Sequence, residues 1–116
     1  MEDKPKYDLE GRTFRFARDV REFIQKLPKT LINIDDAKQL LRSSGSVGAN
    51  YIEANESLSK KDFLMRIKIC RKEAKESQYW LMLLEPPEGL AHEAGRLAQE
   101  SCELMKIFGA IVRKSE

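Results

Sequence analysis

Between Gln39 and Asn55 the chain reads QLLRSSGSVGANYIEAN, and there composition and periodicity pull in opposite directions. Ser43, Ser44, Gly45, Ser46, Gly48 and Ala49 crowd together, and Gly and Ser are poor helix formers. Yet Leu40, Ser44, Val47, Tyr51, Ala54 and Leu58 recur at alternating intervals of four and three, the spacing of one helix face. A period that survives such a run implies that tertiary packing overrides propensity. Small side chains also let a neighbouring helix backbone come close, and Ser46 and Ala49 are expected at such a contact.

Three further segments carry the same spacing. The first, about residues 8–27, aligns Leu9, Thr13, Phe16, Val20, Phe23 and Leu27, and Pro28 stops it. The small-residue helix follows over about 34–58, with Asn33 as the expected N-cap and Asp36 as its box-like partner. The third, about 60–85, opens on Ser59 with Asp62 three residues later and aligns Phe63, Ile67, Cys70, Ala74, Ser77, Leu81 and Leu84 before Glu85-Pro86-Pro87. The fourth, about 88–113, aligns Leu90, Ala94, Leu97, Ser101, Leu104, Phe108 and Ile111. No period-two alternation or hairpin turn is present. Short connections between such helices predict one all-α domain spanning the chain, an antiparallel up-down-up-down four-helix bundle with left-handed crossings. Apolar residues off these stripes, among them Phe14, Ile24, Leu64, Ile69, Tyr79, Trp80, Met82, Met105 and Val112, ask for a second partner surface, and homo-oligomerisation is the economical one.

No apolar run approaches the roughly 20 residues a membrane span needs. The opening segment MEDKPKYDLEG lacks the apolar core of a secretory signal. Cys70 and Cys102, the only cysteines, both read as buried reduced thiols at core positions of their helices. Together these features indicate a cytoplasmic protein. His92 is the single histidine, and Gly89 stands where a Glu-x-x-His metal motif would need its glutamate. Without a histidine base, Ser43, Ser44 and Ser46 do not read as nucleophiles. The sequence supplies no metal site, cofactor site, small-molecule substrate site or catalytic constellation.

Charge provides the remaining candidates. From Lys60 to Lys75 there are seven basic and two acidic residues, and Lys61, Lys68, Lys72 and Lys75 share a face. Arg12, Arg15, Arg18 and Arg21 recur at every third position of the first helix. Such rows bind phosphate backbones without reading sequence, so Arg12, Arg15, Lys61, Lys68, Lys72 and Lys75 are the candidate contacts to structured RNA. The plainer alternative is a solvated face whose charges pair locally with Glu10, Asp19, Glu22, Glu73 and Glu76. No aromatic row interleaves with these bases, which argues against stacking on single strands. Arg42, Asn50, Glu53 and Glu76 form a second group, read as a polar network that fixes helix register or a subunit contact. The leading function is a non-catalytic scaffold that engages RNA, and the alternative is a protein-assembly module with no nucleic-acid role.

These residues resemble a bacterial family of four-helix bundles named for 23S ribosomal RNA intervening-sequence proteins, related to the accessory variability protein of diversity-generating retroelements. The likeness rests on Phe16-Ala17-Arg18 with Val20, Phe23 and Leu27-Pro28. It rests also on Gln39 to Ser44 with Ser46-Val47, Ala49-Asn50 and Ile52-Glu53-Ala54, and on Ser59 to Phe63 leading to Lys72 to Ser77 and Tyr79-Trp80-Leu81. Ala54 departs from the glycine that many members carry there, which suggests a more regular helix. The resemblance implies a ring-like homo-oligomer, most often a pentamer, and no established enzymatic activity.

Overall fold

The computed structural model describes residues 8–116, so most of the polar opening segment lies outside the described residues. Four helices account for nearly all of them: α1 (Leu9–Lys26), α2 (Leu31–Asn55), α3 (Lys60–Leu83) and α4 (Glu88–Ser115). Three begin on side-chain caps. Asp8 accepts from Gly11 N–H at 3.0 Å, Thr30 from Asn33 N–H at 3.1 Å, and Ser59 from Asp62 N–H at 3.0 Å. Pro87 opens α4 without a side-chain cap.

The cap of α2 is not the asparagine that the sequence suggests. Thr30 caps the helix, and Asn33 lies one turn inside it, buried. The Asn33 amide donates to Pro28 O at 3.2 Å and to Glu85 O at 3.4 Å, and its oxygen accepts from Glu85 N–H at 3.3 Å. It thus ties the α1–α2 turn to the end of α3. The far end of α2 is also earlier than its period suggests: the helix stops at Asn55, and Leu58 is 98% exposed in the connection to α3.

Cross-helix pairings run in opposite senses around the bundle. Arg12, Asp19 and Lys26 of α1 meet Glu100, Arg96 and Glu93 of α4, and Asn33, Ser43 and Asn50 of α2 meet Glu85, Ser77 and Arg66 of the α3 side. Glu10 and Thr13 of α1 likewise meet Asn55 and Gly48 of α2, and Lys68 and Arg71 of α3 meet Glu116 and Gly109 at the end of α4, so each neighbour is antiparallel, giving an up-down-up-down four-helix bundle. Packing is heaviest at α2–α3 and α3–α4 and lightest at α1–α4. Phe16, Phe23, Leu40, Val47, Ile67, Leu97, Leu104 and Phe108 form the centre of one continuous core. In α4 the core row drifts, because a true helix turns every 3.6 residues rather than 3.5: Val112 is buried and Ile111 only half-buried.

The small-residue run packs as a set of specific contacts. Ser43 and Ser77 hydroxyls lie 2.9 Å apart in the α2–α3 seam with no exposure. Gly48 meets α1, where a Cβ would stand 2.9 Å from Thr13 Oγ1. Ala49, expected at a close contact, is exposed, and Ser46 is half-buried. One residue is a 100° step on a helix, which separates Gly48 facing α1 from Ala49 facing outward.

Candidate nucleic-acid interface

Lys61, Lys68, Lys72 and Lys75 are all exposed on the side of α3 opposite its core row. Met65 falls between Lys61 and Lys68, and Tyr79 and Met82 continue the row beyond Lys75, all three exposed, so the outward face repeats the four-three spacing of the inner one. Among the described residues only Lys68 of these lysines is within ion-pair distance of a carboxylate, with Nζ 3.6 Å from Glu116 Oε2, while the charge of Lys72 acts on Glu76 from farther away.

The α1 arginines do not form a second row. A three-residue step turns 300° about a helix, so each successive arginine falls back by about 60° and four of them fan over half the circumference. Arg12 points to α4, where Nε and Nη2 donate to Glu100 at 2.7 and 2.9 Å. That pairing raises the Arg12 pKa further and commits its guanidinium to the α1–α4 seam. Arg15 is exposed beside it, Arg18 lies 5.7 Å from the Phe14 ring centroid, and Arg21 donates to Ala17 O on the α2 side. The structure therefore brings the four lysines together and leaves Arg12 and Arg15 on a different edge of the bundle.

The polar group of α2 divides into two networks. Arg42 donates to Glu73 Oε1 at 3.2 Å and to Glu76 Oε2, and Trp80 Nε1 donates to the same Glu76 oxygen at 2.9 Å. The Trp80 bond and then the Arg42 bond hold the Glu76 carboxyl below its ordinary range against the opposing effect of burial. Farther along the seam Asn50 Oδ1 accepts from Arg66 at 2.9 Å while its amide donates to Ser46 O and Oγ, both at 2.9 Å. Glu53 is exposed and joins neither.

The sequence matches the family described as 23S rRNA-intervening sequence protein over residues 6–109. The chain belongs to this family. A crystal structure at 1.70 Å of a protein with unknown function, of the S23 ribosomal protein family from Bacteroides thetaiotaomicron, is similar with a TM-score of 0.74 and 27% identity, covering 90% of this chain and 95% of that one. No curated protein matches the chain.

What sequence reasoning missed in this chain is which partners the anchor residues take. Glu73, Arg66 and Ser46 complete the two networks, and Glu100 claims Arg12. Glu73 had a signal: it stands three residues before Glu76, so both can face one arginine across a seam. Glu100 had none, because the α1–α4 pairing is fixed only by the closed bundle. Cys70 is fully buried and donates to Val47 O at 3.4 Å, and burial pushes its thiol up to about 12. Cys102, expected in the core, is only half-buried, since Ser101 takes the core place one step before it. Among the described residues no group of three or more His, Cys, Asp or Glu is placed to hold a metal ion, and no helix is long and apolar enough to cross a membrane.

Proposed function

We propose that this chain is a non-catalytic scaffold that self-associates and engages structured RNA through the outward face of α3. The observation that carries this reading is the heptad row of Lys61, Lys68, Lys72 and Lys75, exposed together and nearly free of carboxylate partners among the described residues. From Lys61 to Lys75 the row runs about 21 Å along the helix at 1.5 Å per residue, enough to follow several phosphates of one strand. Tyr79 is the single exposed aromatic on that face, so backbone contact to folded RNA suits it better than stacking on a single strand. The family's name joins its members to an rRNA insertion, which agrees with this partner. Arg15 is a secondary contact, and Arg12 serves the α1–α4 seam instead.

Self-association fits a different face. Phe14 is 65% and Ile52 51% exposed, on the outer side of α1 and α2, with Ala17, Gly45 and Ala49 between them. The α3 row suits this role poorly, because a two-fold contact would set lysine against lysine. A ring of five copies, the assembly implied by the family resemblance, would repeat the lysine row and raise its avidity for one RNA. If Phe14 and Ile52 are the only functional surface, the chain is a protein-assembly module.

The deciding experiment titrates the protein with a structured RNA across a salt series, for the native chain and for Lys68→Glu/Lys72→Glu/Lys75→Glu. The native protein should lose affinity linearly on a log–log plot, and the variant should bind far more weakly with a slope shallower by about two to three. Sedimentation should give both the same mass. Native-like RNA affinity in the variant overturns the assignment of this face, and no RNA binding by the native chain at low salt leaves the assembly-module reading.

A further inference from the structure

The lysine row of α3 has cationic company on the neighbouring helix. Gly109 of α4 is buried against α3, and a Cβ there would stand 3.7 Å from Arg71 Cδ and 3.5 Å from Arg113 Nη1. Arg71 therefore leans along α4, and the Arg113 guanidinium folds back over the same point. Lys106, three residues before Gly109, and Arg113, four after it, fall about 60° and 40° to one side of it, away from the buried Phe108 and Val112. Arg71, Lys106 and Arg113 are all exposed. The pairing of Arg71 with Gly109 also sets the register between the antiparallel helices. Lys75 comes level with Met105 and Lys106, and Lys68 with Val112 and Arg113. Five cations thus frame a patch about 10 Å long at 1.5 Å per residue, and about as wide where helix axes lie about 8–10 Å apart.

Carboxylates are scarce on this patch. Among the described residues Glu116 alone comes within ion-pair distance of any of the five, 3.6 Å from Lys68 Nζ. Glu76 lies on the α2 flank of the lysine row, bonded to Arg42 and Trp80, and Glu103 acts on Arg12 from the α1 side of α4. Like charges about 10 Å apart repel one another at low salt, where the screening length exceeds their spacing, and a bound polyanion relieves that repulsion. Resting on the RNA reading of α3, we infer that this α3–α4 face takes double-stranded RNA, with the α3 lysines along the phosphates of one strand and Arg71, Lys106 and Arg113 on those of the other. Two parallel rows of charge match two backbones. An A-form duplex holds its backbones on either side of a deep, narrow groove and is recognised by shape and phosphate rather than by sequence. Tyr79, the exposed aromatic of this face, stands beyond Lys75 and outside the patch, so nothing within it stacks an unpaired base.

The test measures binding of the full chain to a short RNA duplex and to one of its strands alone, across a salt series. Lys106→Gln/Arg113→Gln should weaken duplex binding about tenfold and make its log–log slope shallower by about one to two, with single-strand binding nearly unchanged. Arg71 is kept, because its stem packs on Gly109. Lys29→Gln/Lys38→Gln removes two exposed cations at the α1–α2 end of the bundle and should match the native protein on both ligands. Circular dichroism should give all variants the same helicity. Native-like duplex affinity in the α4 variant, while Lys68→Glu/Lys72→Glu/Lys75→Glu still loses it, overturns the two-strand placement and leaves the α3 reading standing. An equal loss on duplex and single strand, or an equal loss in the Lys29/Lys38 control, reduces the effect to net charge and overturns the placement too. No RNA binding by the native chain at low salt overturns the α3 reading and this one with it.

Discussion

Gly48→Ala puts two opposed effects on one methyl group. In an exposed helix interior, replacing Gly by Ala gains about 0.5–1 kcal/mol. At Gly48 the new Cβ would stand 2.9 Å from Thr13 Oγ1 and 3.2 Å from Thr13 Cβ, well inside the 3.5–4.0 Å of ordinary contact between carbon atoms. Thr13 is poorly placed to yield: it is 1% exposed, and its hydroxyl donates to Leu9 O at 2.7 Å. Overpacking of this kind costs about 1–3 kcal/mol, so the net effect should be a loss of about 1 kcal/mol. Gly95 supplies the control, since nothing lies within 4 Å of its would-be Cβ, and Gly95→Ala should stabilise by about 0.5–1 kcal/mol. Thr13→Ala removes the nearest atom, and in that background Gly48→Ala should turn neutral or favourable, a coupling of about 1 kcal/mol or more. The assay is urea unfolding followed by circular dichroism at one fixed protein concentration, because association would otherwise move the midpoint. If Gly48→Ala stabilises as much as Gly95→Ala, with and without Thr13→Ala, the close approach of α1 and α2 at this point would be refuted.

Other residues give shorter tests. Arg42→Ala leaves the buried Glu73 carboxylate without its cation and should cost about 1–3 kcal/mol, less than the about 3–5 kcal/mol of a fully buried pair because Arg42 is itself half-exposed; Glu73→Gln should recover part of it. Glu76 is held below its ordinary pKa, so its contribution is fully present above the ordinary glutamate range near about 4.3 and is lost as pH falls through the lower folded value. Trp80, the only tryptophan, should report this as an emission change on acidification that is absent in Glu76→Gln. The two thiols should separate in rate. Cys102 should react with a maleimide in the native protein, while Cys70, with its thiol raised to about 12, should react only on unfolding, and comparable native rates would contradict its burial.

The fold was legible because the apolar period carries it. Every residue of the α1 row predicted from spacing, from Leu9 through Leu27, is buried, and Pro28 and Pro86-Pro87 fall where α1 and α3 have ended. Ser59 was readable as a cap because Asp62 follows it at the right interval. Asn33 misled for a definite reason: an asparagine before an apolar run is an N-cap by local rules, but this one reaches across to Glu85, a contact that exists only once α3 has packed. Leu58 kept the phase of its helix after the helix itself had stopped at Asn55, since hydrophobic spacing says nothing about where the backbone turns.

The candidate surfaces divide along the same line, between what phase fixes and what closure fixes. Lys61, Lys68, Lys72 and Lys75 step by seven, four and three, intervals that return to one side of a helix, so their shared face follows from the sequence. Arg12, Arg15, Arg18 and Arg21 step by threes, and that interval alone predicts divergence over three steps even though the residues look like a cluster in the sequence. Which neighbour each arginine then meets depends on the ring of helices closing α4 onto α1. Closure turns Arg12 into a structural tie to Glu100, a residue far away in the sequence, and leaves Arg15 exposed outside that pair. A charge row read at heptad spacing is therefore evidence about a surface, whereas a charge row at triplet spacing is evidence about several, and only the second kind required the folded bundle to interpret.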